Sequence, residues 1–365
     1  MKYQIALTLI KGIGPKTARQ LIISLGCEEN IFKEKQGVLR KYSGLQPSVV
    51  SQFSSSEILD RAEEEVLFVR DNKILTFHIN DERYPQRLLN CDDAPTLLYA
   101  KGEVDLNDTK VIGIVGTRHA TEEGKANCTN LVRELSVKYP NIIIVSGLAY
   151  GIDICAHRAS LQNKIKTVAV VGHGLDRIYP YVHRNVARDM ISNGAVLTEF
   201  LSCTEPERQN FVKRNRIIAG LCDAVIVVES GIKGGALITA RIAESYNRDV
   251  LTYPGRVSDT YSQGCNWLIK KNIGALIESS DDLDYCLGWI PAQKRNEGIQ
   301  KRLFQDFKSD DEKLIYNRLL IDRELDINQL CRDTQLTISK ASTILLNFEF
   351  MGIIKNLPGN KYRLI

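Results

Sequence analysis

Apolar and polar positions fall into three textures along the chain. Residues 1–70 mix short amphipathic stretches with turn residues, and Leu9-Ile10-Lys11-Gly12-Ile13-Gly14-Pro15-Lys16 is followed by Leu21, Ile22 and Leu25 at helical spacing. That pattern predicts two short helices joined by a tight hairpin, in which the glycines supply unusual backbone conformations and Pro15 starts the second helix with its φ already set. Two readings of the hairpin stay open: a helix-hairpin-helix that offers amides and a lysine to a phosphate, or a plain helix pair whose glycines only close the turn. From about 105 to 290, continuous β-branched runs take over, at 110–115, 142–145, 167–171, 195–198, 224–228, 250–253 and a short 275–277. Strands that are apolar throughout, spaced by amphipathic helices, are covered on both faces, so the expected fold is α/β, with a doubly wound, mainly parallel, extended Rossmann-like sheet. Residues 71–105, interrupted by Pro85 and Pro95, read as a lead-in that pads this domain. A polar stretch, AQKRNEGIQKR, follows Pro291 and reads as a linker. Helices are then expected at 311–320, 326–334 and 339–351, with a terminal ribbon over 353–365 turning at Pro358-Gly359-Asn360, the layout of a winged helix. The expected domains are a helix-hairpin-helix or SAM-like segment at 1–70, the Rossmann-like domain at 71–290, a linker at 291–304 and a winged-helix-like domain at 305–365.

Composition adds mainly exclusions. At 44% hydrophobic and 25% charged residues, the chain is neither disordered nor fibrous. No apolar run approaches the roughly 18 residues of a membrane span, and Lys11 breaks the start too early for a secretory signal, so no membrane insertion and a cytoplasmic location are expected. Nine cysteines are scattered singly without a CxxC pair, which predicts reduced thiols and no metal site. The net charge, 48 basic against 44 acidic residues or +4, is too small to announce a polyanionic partner.

Chemistry in a parallel sheet gathers beyond the carboxyl ends of its strands. Those ends read Gly113-Ile114-Val115-Gly116-Thr117-Arg118, then Ser146-Gly147-Leu148-Ala149-Tyr150-Gly151, Gly172-His173-Gly174, Thr198-Glu199 and Glu229-Ser230-Gly231-Ile232-Lys233-Gly234-Gly235. Small-residue turns opening helices present free amides and the positive end of a helix dipole. The first turn is GIVGTR, not GxGxxG, and no acidic residue ends the second strand, so no dinucleotide or other cofactor is expected. Arg118, Lys213, Arg214, Arg216 and Lys233 are expected to converge on this edge, three of them crowding one helix start. A bound polyanion would explain that crowding; salt bridges to Glu199, Glu205 or Glu207 are the other explanation. Phe211, Tyr150 and Tyr179 stand nearby as faces on which bases could stack. Catalytic patterns are poor, since His173 near Asp176 and His119 after Arg118 come without a GxSxG elbow, HExxH or a Walker loop, and Asp153 suits a helix cap.

At these residues the chain resembles the DNA-processing protein A (DprA/Smf) family. The matching elements are VGTR at 115–118, SGLAYGID at 146–153, GHGLDRIYP at 172–180, RNRIIAGL at 214–221, VVES, GG and LITA between 227 and 240, YPG at 253–255 and GCNWLI at 264–269. The resemblance implies a non-enzymatic, homodimeric protein that binds incoming single-stranded DNA during natural transformation, protects it, and loads a RecA-type recombinase while displacing single-strand binding protein. It also implies phosphate-binding positions at Gly116, Thr117, Arg118, Ser146, Gly147, Lys213, Arg214, Asn215, Arg216, Gly234, Gly235 and Thr239, to which the residue reading adds Phe211 and Lys233. Two departures from the family pattern stand out: Val212-Lys213 where the usual motif has FPxRNR, and Ala236 where a serine hydroxyl is usual. The alternative function is a nucleoside-monophosphate phosphoribohydrolase of the lysine-decarboxylase-like group. That group usually carries PGGxGTxxE, whereas the fifth turn here reads SGIKGGALITARIAE.

Overall fold

A computed structural model describes residues 1–107, 110–289, 309–322, 324–357 and 361–364. The chain divides into two compact units, Met1–Arg295 and Asn296–Ile365. The linker expected over 291–304 and the turn at 358–360 lie outside the described residues.

The first unit opens with six helices: α1 (Lys2–Leu9), α2 (Pro15–Leu25), α3 (Glu28–Lys33), α4 (Gln36–Ser43), α5 (Pro47–Val50) and α6 (Ser56–Asp71). The α1–α2 hairpin turns at Gly12, whose φ of +93° suits glycine, and Pro15 begins α2. Gln52 donates to and accepts from the backbone of Lys11, at 3.0 and 2.9 Å. Ile5, Ala6, Ala62 and Val69 from this segment share one buried cluster with Leu97 and Tyr99 of the sheet. A buried carboxylate strengthens the union, because Glu28 Oε1 lies 2.5 Å from Nε2 of His78.

Nine strands follow: β1 (Leu75–His78), β2 (Leu97–Gly102), β3 (Val111–Val115), β4 (Ile143–Ser146), β5 (Lys166–Val170), β6 (Gly194–Thr198), β7 (Ala224–Val227), β8 (Asp249–Thr252) and β9 (Ala275–Leu276). They form one sheet in the order β1-β2-β6-β5-β4-β3-β7-β8-β9. From β6 to β9 every pairing is parallel, while β2 runs antiparallel to β6 and β1 to β2. The expected doubly wound sheet is therefore present, and what read as padding at 71–105 contributes two further strands that extend it. Successive residues serve opposite faces: Ile112, Ile114, Ile144 and Ile226 enter one buried cluster, whereas Val111, Val115, Val145 and Val227 enter the other. That is why these strands carry no polar alternation.

The helices that matter to the site are α7 (Gln86–Leu89), α8 (Glu122–Lys138), α9 (Ile152–Gln162), α10 (Arg184–Ser192), α11 (Arg208–Leu221) and α12 (Gly235–Ser245), followed by α13 (Gln263–Lys270) and α14 (Ser280–Leu287). The N-terminal helices also brace the loop leading into α11. Arg61 on α6 donates to the Ser202 carbonyl at 2.8 Å, and Glu65 accepts from the Ser202 amide at 2.9 Å.

The second unit is a winged helix with α15 (Asp310–Ile321), α16 (Ile327–Thr334) and α17 (Ile338–Phe350). Its sheet has three strands in the order β10-β12-β11, with β10 (Glu324–Asp326) added to the expected ribbon of β11 (Ile354–Leu357) and β12 (Lys361–Leu364). Its own core gathers Ile315, Leu319, Leu330, Leu345 and Phe348.

Candidate nucleic-acid interface

The strand order reverses at β3, which pairs with β4 on one side and β7 on the other. Loops leaving these three strands in opposite directions open a crevice at their carboxyl ends. Here the crevice floor is stitched tightly. The Thr117 amide donates to the Glu229 carbonyl at 2.7 Å, and the Ile152 amide donates to the Thr117 carbonyl at 3.2 Å. Gly116 allows this closeness, because a Cβ there would stand 2.4 Å from Cγ1 of Ile152.

Helices α8, α9, α11 and α12 begin at this edge, and their N-termini are not equivalent. At α8, the Thr121 hydroxyl accepts from the Gly124 amide at 3.0 Å, while the Thr121 amide donates to the Glu229 carboxylate at 2.9 Å. The protein's own anion thus occupies this helix end. At α9, Asp153 is buried in the first turn: burial pushes its carboxyl up, against the pull of Arg214 and of hydrogen bonds from the backbone of Ala149 and Gly147. A second end is internally neutralised. By contrast, neither α11 nor α12 has a capping side chain or an acidic residue in its first turn. Gly235, first residue of α12, is exposed with open space where a Cβ would point. The α12 end keeps the positive pole that an anion seeks, whereas at α11 the N-cap residue is Glu207, whose carboxylate accepts from the Gln209 side chain at 2.5 Å.

The expected cations separate into surface and interior groups. Arg118, Lys213 and Lys233 are exposed and form no ion pair among the described residues. Arg118 lies over the Phe211 ring, with Cζ 5.6 Å from its centroid, and Phe211 in turn meets Tyr179 at 5.8 Å. Arg118, Phe211 and Tyr179 are therefore neighbours, whereas Lys213, two residues beyond Phe211 on α11, projects from another side of that helix. The helix they were expected to open begins earlier, at Arg208, so Lys213, Arg214 and Arg216 lie in its second and third turns, and Arg214 and Arg216, expected beside the others at the surface, point inward instead. Arg214 is 4% exposed. Its guanidinium donates to the Val170 carbonyl and fills the space where a Gly147 Cβ would be, 2.2 Å from Nη1. Burial lowers its pKa to about 10, opposed by the charge of Asp153. Arg216 donates to the Asp93 carbonyl at 2.6 Å and pairs with Glu199, so for this side chain the salt-bridge reading is the one the geometry presents.

The remaining expected positions are supporting ones in this conformation. The buried Ser146 hydroxyl donates to the Ile114 carbonyl at 2.6 Å, Thr239 is buried within α12, and Asn215 is half-buried. Gly234 lies against Ser230, where a Cβ would stand 2.2 Å from Oγ. Glu229, which fills the α8 end, was missed by sequence reasoning. Thr121 three residues before Gly124 marks the helix start, but nothing local points to a carboxylate on another loop. His173 is buried and neutral: its Nδ1 bonds the Gly174 carbonyl at 2.8 Å, and Nε2 accepts from the Tyr179 amide at 3.2 Å. It holds the loop that displays Tyr179, and Asp176 does the same for the neighbouring loop by accepting from the Cys203 amide at 2.9 Å.

Comparison with known proteins completes the picture. Residues 75–287 match the family described as DNA recombination-mediator protein A, and residues 306–360 match the DprA winged helix domain. Protein Smf of Synechocystis sp. is 31% identical over 99% of this chain and 98% of its own. The X-ray structure of DNA processing protein A from Streptococcus pneumoniae shares 34% identity at a TM-score of 0.67, covering 78% of this chain and 96% of that one. The Helicobacter pylori DNA processing protein A, whose structure is described by its single-stranded DNA binding mode, shares 30% identity at a TM-score of 0.53, covering 59% and 95%. The family match begins at β1 and ends with α14, taking in the whole sheet and every loop of the crevice, and the chain belongs to the DNA recombination-mediator protein A family.

Proposed function

We propose that this protein binds single-stranded DNA along the carboxyl edge of its sheet, without reading sequence, and acts there as a recombination mediator in DNA uptake. The observation that carries the reading is the grouping, at one sheet edge, of the open α12 end, the exposed cations Arg118, Lys213 and Lys233, the half-buried Phe211 ring under Arg118 and the exposed Tyr179 ring. Amide-rich ends and cations address a phosphate backbone, while aromatic rings accept unstacked bases, which only a single strand offers freely. The binding mode named for the Helicobacter pylori relative supports the same choice of ligand. Arg214 and Arg216 serve this site from beneath, as props of the loops.

Family membership supports the rest of the proposal: handing the bound strand to a RecA-type recombinase, displacement of single-strand binding protein, action as a homodimer, and a cytoplasmic location, which suits nine unpaired thiols. The role involves no covalent step. The carboxylates of the edge are engaged in structure, Asp153 by Arg214, Asp176 by Arg177, Glu199 by Arg216 and Glu229 by Thr121.

A direct test is a titration with oligo-dT and with duplex of equal length. Preference for the single strand, with log affinity falling by roughly 0.7 per log unit of salt for each phosphate neutralised, is expected. Equal affinity for both forms would remove the assignment.

A further inference from the structure

Beyond Tyr179 the exposed aromatic surface does not stop. The loop after β5 carries Tyr181 and Val182, 69% and 62% exposed, and the loop after β4 carries Tyr150 at 49%. What distinguishes these rings is that neighbouring side chains hold them in place. Tyr150 stands edge-on against His183, their centroids 5.0 Å apart, and His183 Nδ1 bonds the Leu148 carbonyl at 2.8 Å. The Arg184 guanidinium covers the Tyr181 ring at 4.2 Å from its centroid.

Charge on this surface is one-sided. Asp176 and Asp189 are matched by their neighbours Arg177 and Arg188, whereas Arg184 and Arg158, both exposed, form no ion pair among the described residues. Rings presented at their faces beside unmatched arginines suit a ligand with alternating flat apolar groups and anions, which describes a single nucleic-acid strand better than an apolar protein surface.

We infer that Tyr181 with Arg184, and Tyr150, form a second stacking platform that continues the proposed strand path from Phe211 and Tyr179 over the loops after β5 and β4. The inference rests on the reading of the carboxyl edge as the DNA site. A strand long enough to reach both platforms gains bases stacked on these tyrosines and a phosphate near Arg184; a short one occupies the primary site alone.

The experiment compares Tyr150→Ala/Tyr181→Ala and Arg184→Ala with the unaltered full chain, using fluorescent dT oligonucleotides of about 6 and about 20 residues, lengths that bracket ordinary single-strand site sizes. All three side chains are exposed, so folding is expected to survive. The expected result is a loss of roughly tenfold per unstacked base for the longer strand with the shorter one unaffected, and a shallower salt slope for the longer strand in Arg184→Ala. Equal losses at both lengths, or none, overturn the second platform. Arg118→Ala run in parallel separates the two failures: if it leaves both affinities unchanged, the edge itself is not the DNA site and the extension falls with it.

Discussion

Arginines at positions 118 and 214 look interchangeable in a sequence, and their surroundings make them opposites. Arg118 is exposed over a ring, so it can lend its charge to a phosphate, and Arg118→Ala should weaken binding for all sequences alike and flatten the salt slope by about 0.7. Arg214 is sealed under Gly147 and held by the Val170 carbonyl beside Asp153. Removing it leaves the buried Val170 carbonyl without that donor and takes away the charge that favours ionised Asp153, so Arg214→Ala should cost about 1–3 kcal/mol in urea unfolding, while whatever protein remains folded keeps its full slope. Thermal melts and salt titrations of the two variants check the contrast; a flattened slope in folded Arg214→Ala would show that its side chain reaches the strand after all. Local sequence placed both residues at the right edge, because Val-Gly-Thr-Arg and Lys-Arg-Asn-Arg follow a strand end and a helix start. Which way each side chain turns depends on groups far away in the chain, and no local pattern records that.

Elements were legible where an apolar run stood clear of turn residues. The seven parallel strands lie within a residue or two of their expected positions, because six of them carry an apolar run that presses on helices at both faces, polar residues being confined to their ends and to the buried Thr167. β1 escaped notice since Leu75-Thr76-Phe77-His78 is only half-buried, and β2 because its run follows Pro95 within a turn-rich stretch. The α9 helix carries a further consequence of burial. His157 is buried with its Nδ1 against Thr167 at 2.7 Å and Nε2 unpartnered, and desolvation, with Arg214 and His183 adding repulsion, lowers its pKa to about 3. An unfolded histidine takes up its proton near 6.5, so the stabilisation is whole above that pH and is lost as pH falls toward 3. Unfolding free energy should therefore decline with acidification by about 1.4 kcal/mol per unit from this group, and His157→Gln should remove that share of the slope. Denaturant titrations across the range measure it; an unchanged slope would mean that His157 is not the proton's destination.

Across the whole molecule, a net charge of +4 conceals how unevenly that charge is deployed. The α8 and α9 ends at the crevice are neutralised internally, while the α12 end stays open beside the unpaired Lys233. The winged helix goes the other way: α17, where such a fold would read DNA, exposes Ile338, Leu346 and Phe350, and its Lys340 is paired with Asp311 at 2.5 Å. A chain shortened to residues 1–304 should therefore keep its oligo-dT affinity and salt slope, measured by anisotropy; a marked loss of slope would assign DNA contacts to the winged helix. The switch point has a separate consequence for how the protein comes into being. Ile112 of β3 pairs with Ala224 of β7, so during synthesis the crevice cannot close until the ribosome has released most of the sheet. β4 can dock on β3, and β5 on β4, well before then. The nascent chain thus carries one apolar flank of its central strand uncovered for seconds at ordinary elongation rates, and that flank is where chaperone attachment or mispairing is most to be expected.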